Sequence, residues 1–272
     1  AWQQQLYARV KSDPNLSGVP VIGPSLVKDD SYAALGDISP YVDCGNMHPY
    51  PGGLIPTYNV FHDATLGKAT FGSKPWCVTE SGYHNAVNTT QAHLPASEKA
   101  AAAYIPRLFL DHFSLGIQRT YLHELLDEHP EPGLLNPEQH FGLLRADMTE
   151  KPAYVTLRSL MHLITPTSQA PAAPLSYSAT GPSDLKQLLF QQDANHQVLV
   201  LWRNASVWNP YTRTDVTVAP QRVNVTFGQK IRSAATYALD SSSGLPTKTV
   251  SRPTSLGVDV AGQAVVVRLT LP

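Results

Sequence analysis

Polar and aromatic side chains follow three short apolar runs in this 272-residue sequence. Asn46, His48 and Tyr50 come at the first run, Glu80 ends the second, and Glu124 follows the third. If the runs are parallel strands, their carboxyl ends meet at one edge of a sheet, where catalytic side chains usually lie. Hydroxyl and imidazole donors could hold a carboxylate ionised there, so Glu80 is the candidate for a charged reactive group.

The position of Glu80 suits nucleophilic attack on a sugar carbon. Retaining glycosidases use one carboxylate as nucleophile and a second, about 5 to 5.5 Å away, as acid/base. A glycine two residues after Glu80 permits a sharp turn at the strand end. The alternative is a structural glutamate that only accepts hydrogen bonds. We predict Glu80 as the nucleophile, with these substrate-binding or supporting residues: Asn46, His48, Tyr50, Tyr83, His123 and Glu124.

Residues 1–165 alternate short apolar runs with helical patterns, which is typical of strand-helix units around a parallel sheet. The predicted strands are residues 19–26, 42–47, 76–79 and 119–122. The predicted helices are residues 31–35, about 57–66, 97–115 with Ser97 as N-cap and Gly116 as stop, and about 153–164. Four such units make half of an eight-stranded barrel. A half barrel exposes strand edges, so we expect upstream sequence or another chain to close it.

The composition and the hydrophobic pattern of the sequence change after residue 165. Residues 165–174 are rich in Pro, Ala and Ser, as in a linker or an extended crossover. From there to residue 272, short apolar stretches alternate with turn residues, and residues 198–202 and 265–271 show period-two alternation. This pattern predicts an antiparallel β-sandwich. Trp202 is expected inside it, whereas Trp208 beside Asn209-Pro210 could be exposed.

Several motifs, in order, resemble the clan A glycoside hydrolases, a superfamily of TIM-barrel enzymes. Lys74-Pro-Trp-Cys-Val-Thr-Glu80-Ser-Gly-Tyr83 resembles their seventh-strand nucleophile motif. His48-Pro-Tyr50 is similar to the sixth-strand segment, and Arg119-Thr-Tyr-Leu-His-Glu124 to the eighth strand. Their fifth strand is similar to Val19-Pro-Val-Ile-Gly-Pro24-Ser. The closing segment of their barrel is similar to Phe141-Gly-Leu-Leu-Arg-Ala-Asp-Met-Thr-Glu-Lys-Pro-Ala-Tyr154.

The resemblance implies an α/β plus all-β fold. Residues 1–165 would be the C-terminal half of a (β/α)8 barrel, strands five to eight, and residues 166–272 a β-sandwich accessory domain. The fourth-strand Asn-Glu pair that supplies the acid/base in this clan is absent, since no Asn-Glu dipeptide occurs in the 272 residues. Glu124, Asp127 and Glu128 are the nearby spare carboxylates, and Glu124 could replace the acid/base or make a rim contact. The opening residues read as the middle of a helix, so we expect the sequence to start inside a longer gene product.

Composition excludes some classes of partner. Charged residues are 15% of the chain and the formal net charge is -1, which disfavours nucleic-acid and anionic-membrane binding and favours a carbohydrate substrate. His48 and His123 could ligate a metal together with Glu80, but their spacing fits no short metal motif. We therefore expect no metal and no cofactor.

The chain has two cysteines, Cys44 and Cys77. Strict alternation puts Cys44 on the face of His48 and Cys77 on the face opposite Glu80, which favours two buried free thiols over a disulfide unless a bulge intervenes. Asn-X-Ser/Thr sequons would be glycosylated only in a eukaryotic secretory route. A secreted or extracytoplasmic location is expected.

Three hypotheses follow. The first is a retaining glycoside hydrolase that acts on a β-linked glycoside, with its acid/base outside these residues. The second is a non-catalytic half-barrel remnant that binds carbohydrate or is completed by dimerisation. The third is an enzyme split between two chains, in which the other chain supplies the first four strands. We therefore expect a homo-oligomer or a complementary N-terminal chain as partner.

Overall fold

The structure is a computed structural model that describes residues 1–168, 174–240 and 243–272. Its internal contacts divide the chain into two units. The first unit comprises Ala1–Pro51, Pro56–Tyr83 and Leu108–Glu124, and the second comprises Gly52–Ile55, His84–Arg107 and Leu125–Pro272. The chain thus alternates between units before residue 125, and the predicted domain boundary at residue 165 stays a prediction.

The first unit is built on a parallel three-stranded sheet in the order β1-β2-β3. Its strands are β1 (Gly45–Met47), β2 (Trp76–Ser81) and β3 (Arg119–Leu122). Its helices are α1 (Trp2–Ser12), α2 (Asp29–Leu35), α3 (Val60–Phe71) and the part of α4 (Glu98–Ser114) from Leu108 onward. Strands and helices alternate along the chain, so the predicted mixed α/β architecture is confirmed at this level.

Buried side chains pack β2 between its neighbours and α3. Val78 is fully buried and shares a cluster with Met47, Val60 and Ile117. The Trp76 ring meets Phe71 edge to face, with ring centroids 5.5 Å apart. Gly67 of α3 allows this approach, because a Cβ there would lie 2.3 Å from the Trp76 ring. Close packing of α3 on β2 fixes the strand whose end carries Glu80.

The strand predicted at residues 19–26 is wrong. The structure has a single isolated bridge there, between Ile22 and Cys44. Val21 accepts from the Asp43 amide at 2.7 Å, and the Gly23 amide donates to Cys44 at 2.9 Å. Proline has no amide hydrogen to donate to a ladder, so the prolines at positions 20 and 24 confine pairing to the residues between them.

The prediction of free thiols is also wrong, because Cys44 and Cys77 form a disulfide with Cα atoms 6.1 Å apart. Two features break the alternation used in that prediction. Cys44 precedes β1 and His48 follows it, so no continuous strand joins them. The register of β2 against β3 shifts between Val78 and Ser81, which invalidates counting back from Glu80. The bond links the segment before β1 to β2.

The second unit contains the beginning of α4, helix α5 (Pro152–Ile164) and ten antiparallel strands among its described residues. The Ser97 hydroxyl accepts from the Ala100 amide at 3.0 Å, which confirms the predicted N-cap of α4. The strands are β4 (Tyr177–Thr180), β5 (Leu185–Gln191), β6 (His196–Arg203), β7 (Trp208–Asn209), β8 (Thr214–Asp215), β9 (Gln221–Phe227), β10 (Ser233–Ala238), β11 (Lys248–Ser251), β12 (Ser255–Val260) and β13 (Val265–Thr270).

These strands form sheets in the orders β11-β10-β13-β6-β5, β12-β9-β4 and β7-β8. One hydrophobic core joins residues of the five-stranded and three-stranded sheets, including Leu199, Val223, Val258 and Val267. Alternation in β9 is complete, since Val223, Val225 and Phe227 are buried and the residues between them are exposed. The alternation of apolar and polar residues therefore determines which face of a strand packs against this core.

Some predictions for this part of the chain need correction. Trp208 is buried, because its ring nitrogen donates to the Pro95 carbonyl at 2.7 Å. Trp202 is fully buried, as predicted. Strands β4 and β11 are short and largely polar, so apolar alternation does not indicate them in the sequence. Half of the predicted linker at residues 165–174, namely residues 169–173, lies outside the described residues. No helix in the described ranges has the length and apolarity to span a bilayer.

Candidate active site

Glu80 lies near the end of β2 in the first unit, and its side chain is 37% exposed. The residues before it on the strand, Cys77 and Val78, are buried. β2 runs parallel to β1 and β3 between them, so the ends of all three strands point the same way. The Glu80 carboxylate thus reaches solvent from a buried central strand. A group that reacts with an external molecule needs such access.

Two neutral donors orient the Glu80 carboxylate. The Tyr50 hydroxyl donates to Oε1 in a short hydrogen bond. His48 Nδ1 lies 3.4 Å from Oε2. Each carboxylate oxygen therefore has its own partner on the segment that follows β1. This arrangement restricts rotation of the carboxylate, a condition for aiming a nucleophile at one carbon atom.

The segment His48-Pro49-Tyr50 is itself anchored by hydrogen bonds. The Ser81 hydroxyl donates to the Pro49 carbonyl at 3.1 Å. The Asn59 side-chain amide donates to the Tyr50 carbonyl at 2.6 Å, and within the segment the Tyr50 backbone amide donates to the His48 carbonyl at 2.9 Å. Because these contacts come from β2 and from the residue before α3, the segment keeps its position against Glu80 without being a strand.

On the side away from Glu80, the His48 ring contacts a series of hydrogen-bonded polar side chains. Asn46 Oδ1 is 3.2 Å from the Thr79 backbone nitrogen, which donates to it, and 3.0 Å from the Thr79 hydroxyl. The same hydroxyl lies 2.8 Å from His48 Nε2. A threonine hydroxyl has one proton and two acceptor lone pairs. Thr79 can therefore donate to Asn46 or to His48, and the protonation of His48 decides which.

Burial, as the largest cause, lowers the pKa of His48, with Glu80 opposing the shift and His123 adding to it. The ring is therefore neutral at neutral pH. In a neutral ring both contacts are satisfied when Nδ1–H donates to Glu80 and Nε2 accepts the Thr79 proton. When the ring is protonated, Nε2–H donates to Thr79, and the hydroxyl proton turns to Asn46. Thr79 escaped prediction because it has no reactive group of its own, although it directly precedes Glu80.

The other predicted site residues are placed less centrally. The His123 ring lies edge-on to the Tyr50 ring, with centroids 6.4 Å apart. His123 Nε2 lies 3.8 Å from the neighbouring Glu124 carboxylate, and the peptide bond between these two residues is cis. Tyr83 is 2% exposed and so presents little surface to a ligand. Asn46, His48 and Tyr50 are thus gathered at Glu80, His123 touches this group through Tyr50, and Glu124 pairs with His123.

Of the spare carboxylates, Asp127 is committed to a buried ion pair in the second unit. Lys151 Nζ donates to Asp127 Oδ1 at 2.8 Å, and the two side chains are 3% and 6% exposed. Lys151 also donates to Asn85 Oδ1 and to the His140 carbonyl, both at 3.2 Å. A carboxylate held by a buried ammonium is a structural group, so Asp127 is a poor general acid. Glu128 is exposed and accepts from Gln139 at 3.0 Å.

Among the described residues, no group of three or more His, Cys, Asp or Glu side chains gathers where a metal ion could be held. His48 and Glu80 do lie together, and the hydrogen-bond partners described for this pair, Thr79 and Tyr50, contribute hydroxyl groups. The chemistry available at the site is therefore that of an oriented carboxylate with hydroxyl and imidazole donors beside it.

No family model matches the sequence, and no curated protein matches it either. Solved structures do match its fold. A family 39 glycoside hydrolase from Bacteroides cellulosilyticus WH2 has a TM-score of 0.57 and 16% identity, over 86% of this chain and 45% of that chain. The GH39 enzyme from Xanthomonas axonopodis pv. citri has a TM-score of 0.55 and 16% identity, over 99% of this chain and 64% of that chain.

A GH30 endoxylanase from Clostridium papyrosolvens C71 has a TM-score of 0.52 and 15% identity, over 99% of this chain and 61% of that chain. The chain thus spans 45% to 64% of the length of these three solved structures. Identities this low establish a shared fold and nothing finer. The resemblance to clan A glycoside hydrolases is confirmed at that level: the chain has the fold of a large part of these enzymes.

Proposed function

We propose that this chain is the nucleophile-bearing part of a retaining glycoside hydrolase that acts on a β-linked glycoside or polysaccharide by double displacement. The observation that carries the proposal is the carboxylate of Glu80, oriented by Tyr50 and His48 at the end of a central parallel strand. The fold likeness to GH39 and GH30 structures supports the same reaction class.

In this proposal β1, β2 and β3 are strands six to eight of a (β/α)8 barrel, and residues 21–23, which bridge to the segment before β1, stand in the place of strand five. The antiparallel sheets after residue 166 are its β-sandwich accessory domain. The two antiparallel sheets that share a core support the second assignment. The acid/base comes from sequence or from a chain other than these 272 residues, since no Asn-Glu pair is present.

In the proposed mechanism, Glu80 attacks the anomeric carbon and forms a glycosyl-enzyme ester while the acid/base protonates the departing oxygen. Water activated by the same acid/base then releases the sugar with its original configuration. Tyr50 and His48 hold the carboxylate before attack. As the ester forms, the donor on the attacking oxygen gives way, while the other oxygen becomes the ester carbonyl and keeps its donor. His123 and Glu124 are proposed to contact hydroxyl groups of the substrate.

The test compares two glutamine variants in a preparation of this chain that hydrolyses an aryl glycoside. Glu80→Gln should abolish turnover while circular dichroism and melting temperature stay unchanged. Glu138→Gln is the matched control, because Glu138 is an exposed glutamate, and it should keep full activity. Substantial turnover by Glu80→Gln would refute the assignment. Activity lost only in Glu124→Gln would move the essential carboxylate there.

The second candidate function is a non-catalytic half barrel that binds carbohydrate or assembles by dimerisation. Its supporting observation is β3, which pairs only with β2 in the described part of the chain and carries Tyr121 at 49% exposure. Unpaired strand edges invite pairing with another chain. Size-exclusion chromatography with light scattering, and mass spectrometry for a second polypeptide, separate a dimer and a two-chain enzyme from a monomer.

A secreted or extracytoplasmic location is part of the same proposal. The disulfide between Cys44 and Cys77 supports it, since such bonds persist in oxidising compartments and are rare in the cytosol. Alkylation of thiols in protein taken directly from the producing cells tests this: two blocked thiols on most molecules would contradict the location.

A further inference from the structure

A groove of about 780 Å³ lies at one end of the antiparallel sheets, within the second unit. Three cationic side chains line it, Lys230, Arg232 and Arg252, and all three residues are exposed. Among the described residues that line the groove, none has an acidic side chain. Pro272 also lines it, so a chain that ends at this residue adds one terminal carboxylate to the three cations. The seven residues outside the description are Gln, Ala, Pro and Ser and carry no charge. The whole chain has a formal net charge of -1, so the three cations make this groove more positive than the chain as a whole.

The register of two strands forces two of these cations together. β10 pairs with β11 so that Ser233 lies opposite Ser251, and the Arg252 amide donates to the Arg232 carbonyl at 3.0 Å. Arg232 and Arg252 are therefore directly opposed at the end of the ladder. Like charges in this position destabilise a sheet. No ion pair relieves them within the described residues, and the same holds for Lys230.

The backbone of Arg252 adds a second cost. Its φ of 48° lies in the left-handed region that an arginine rarely adopts. Arg232 is fixed on its other side, where its amide donates to the Thr270 carbonyl at 2.8 Å. Strained and mutually repelling groups that are held in place often belong to a binding site, because a ligand of opposite charge removes the repulsion.

We propose that this groove binds an acidic polysaccharide through its carboxylate or sulfate groups, with Lys230, Arg232 and Arg252 as the contacts. Arginine suits such groups, because its planar guanidinium donates two parallel hydrogen bonds to one carboxylate or sulfate. The charge of the groove calls for an anionic partner. The choice of a polysaccharide over other polyanions rests on the proposed glycosidase function. The site would hold an anionic chain independently of Glu80.

The test measures binding of the 272-residue chain to defined polymers by affinity electrophoresis or calorimetry. Polygalacturonate presents carboxylates, dextran sulfate presents sulfates, and unsubstituted dextran is the neutral reference. The wild-type chain should bind one or both anionic polymers, more weakly as salt rises, and leave dextran unbound. The triple variant Lys230→Gln, Arg232→Gln, Arg252→Gln should bind about tenfold more weakly or worse.

The matched control removes three charges elsewhere, as Lys28→Gln, Lys68→Gln, Lys99→Gln, all at exposed lysines. It should bind within about twofold of the wild type, since local contacts rather than net charge carry the interaction. Equal binding by the wild type and the groove variant would overturn the proposal. Equal losses in the groove and control variants would also overturn it, because they would indicate a response to net charge alone.

Two further measurements keep the result interpretable. Arg252→Gln alone removes the repulsion with Arg232, so its melting temperature should equal or exceed that of the wild type while anion binding weakens. This variant replaces the triple variant if the latter unfolds.

Duplex DNA that binds as tightly as polygalacturonate, with the same loss in the groove variant, would overturn the polysaccharide assignment. Glu80→Gln should bind like the wild type, so a failed nucleophile assignment and a failed groove give different results.

Discussion

Replacing Glu80 with glutamine should lower the pKa of His48 by about one unit. The carboxylate favours the imidazolium form of His48, because its Oε2 atom lies 3.4 Å from Nδ1. Glutamine keeps the shape and a hydrogen-bonding oxygen but removes the charge. The pKa of His48, already lowered by burial, should therefore fall further.

The magnitude follows from the distance and the exposure. Two unit charges 3.4 Å apart interact by about 1.2 kcal/mol in bulk water and by about 5 kcal/mol at an effective dielectric constant of about 20. The side chains of His48 and Glu80 are 26% and 37% exposed, so solvent screens the pair and the lower value is the better guide. That value corresponds to about one pKa unit.

Histidine ring resonances followed by NMR across pH give the measurement, and no catalytic activity is needed. His62 is the internal control, because it pairs with Asp29 at 3.1 Å, both are largely exposed, and neither contacts Glu80 among the described contacts. The ring resonances of His62 should not differ between the two proteins. An unchanged or raised pKa of His48 in the glutamine variant would refute the arrangement described for the site.

Three further predictions concern stability and are checked by urea unfolding. Replacing Cys44 and Cys77 with alanine should cost about 4 kcal/mol, since the bond closes a loop with a sequence separation of 33; a loss below about 1 kcal/mol would contradict a formed disulfide. Asp127→Asn leaves the buried Lys151 ammonium without its carboxylate and should lower the free energy of unfolding by about 3 to 5 kcal/mol. Replacing Asp259, which is exposed beside Arg222, should lower it by less than about 1 kcal/mol. Equal losses in the two variants would contradict burial of the pair between Asp127 and Lys151. Burial lowers the pKa of His112 to about 4, so the unfolded chain takes up a proton between about pH 6.5 and 4 that the folded chain does not. As the pH falls through this range, His112 alone should lower stability by up to about 1.4 kcal/mol per pH unit. His112→Leu should remove this contribution and leave that of His84, whose pKa burial also lowers to about 4; an unaltered slope would contradict the shift.

Local signals in the sequence predicted much of the fold. The Ser97 cap and Gly116 bracket α4, and β3 has the predicted bounds. These features depend on residues adjacent in sequence, such as a capping hydroxyl or an alternating apolar run. The position of Glu80 at a strand end could be predicted for the same reason. Its role as nucleophile stays a prediction.

Features that depend on register between distant segments could not be predicted. The disulfide requires the offset of β1 against β2, which places Cys44 near Cys77. The burial of Trp208 requires a carbonyl more than a hundred residues earlier, at Pro95. Arg232 and Arg252 look like scattered surface charges until the pairing of β10 with β11 opposes them. Period and composition report which face of a strand is buried, and they carry no information on which strand lies beside it.

The identity of the nucleophile is tested most directly by trapping the glycosyl-enzyme ester. A preparation of this chain that turns over an aryl glycoside is treated with a 2-fluoro glycoside of the same sugar, which slows release of the ester, and its peptides are analysed by mass spectrometry. We predict one sugar attached to the peptide containing Glu80 and none in the Glu80→Gln variant. A sugar attached to another carboxylate, or continued turnover with no trapped ester, would contradict the account.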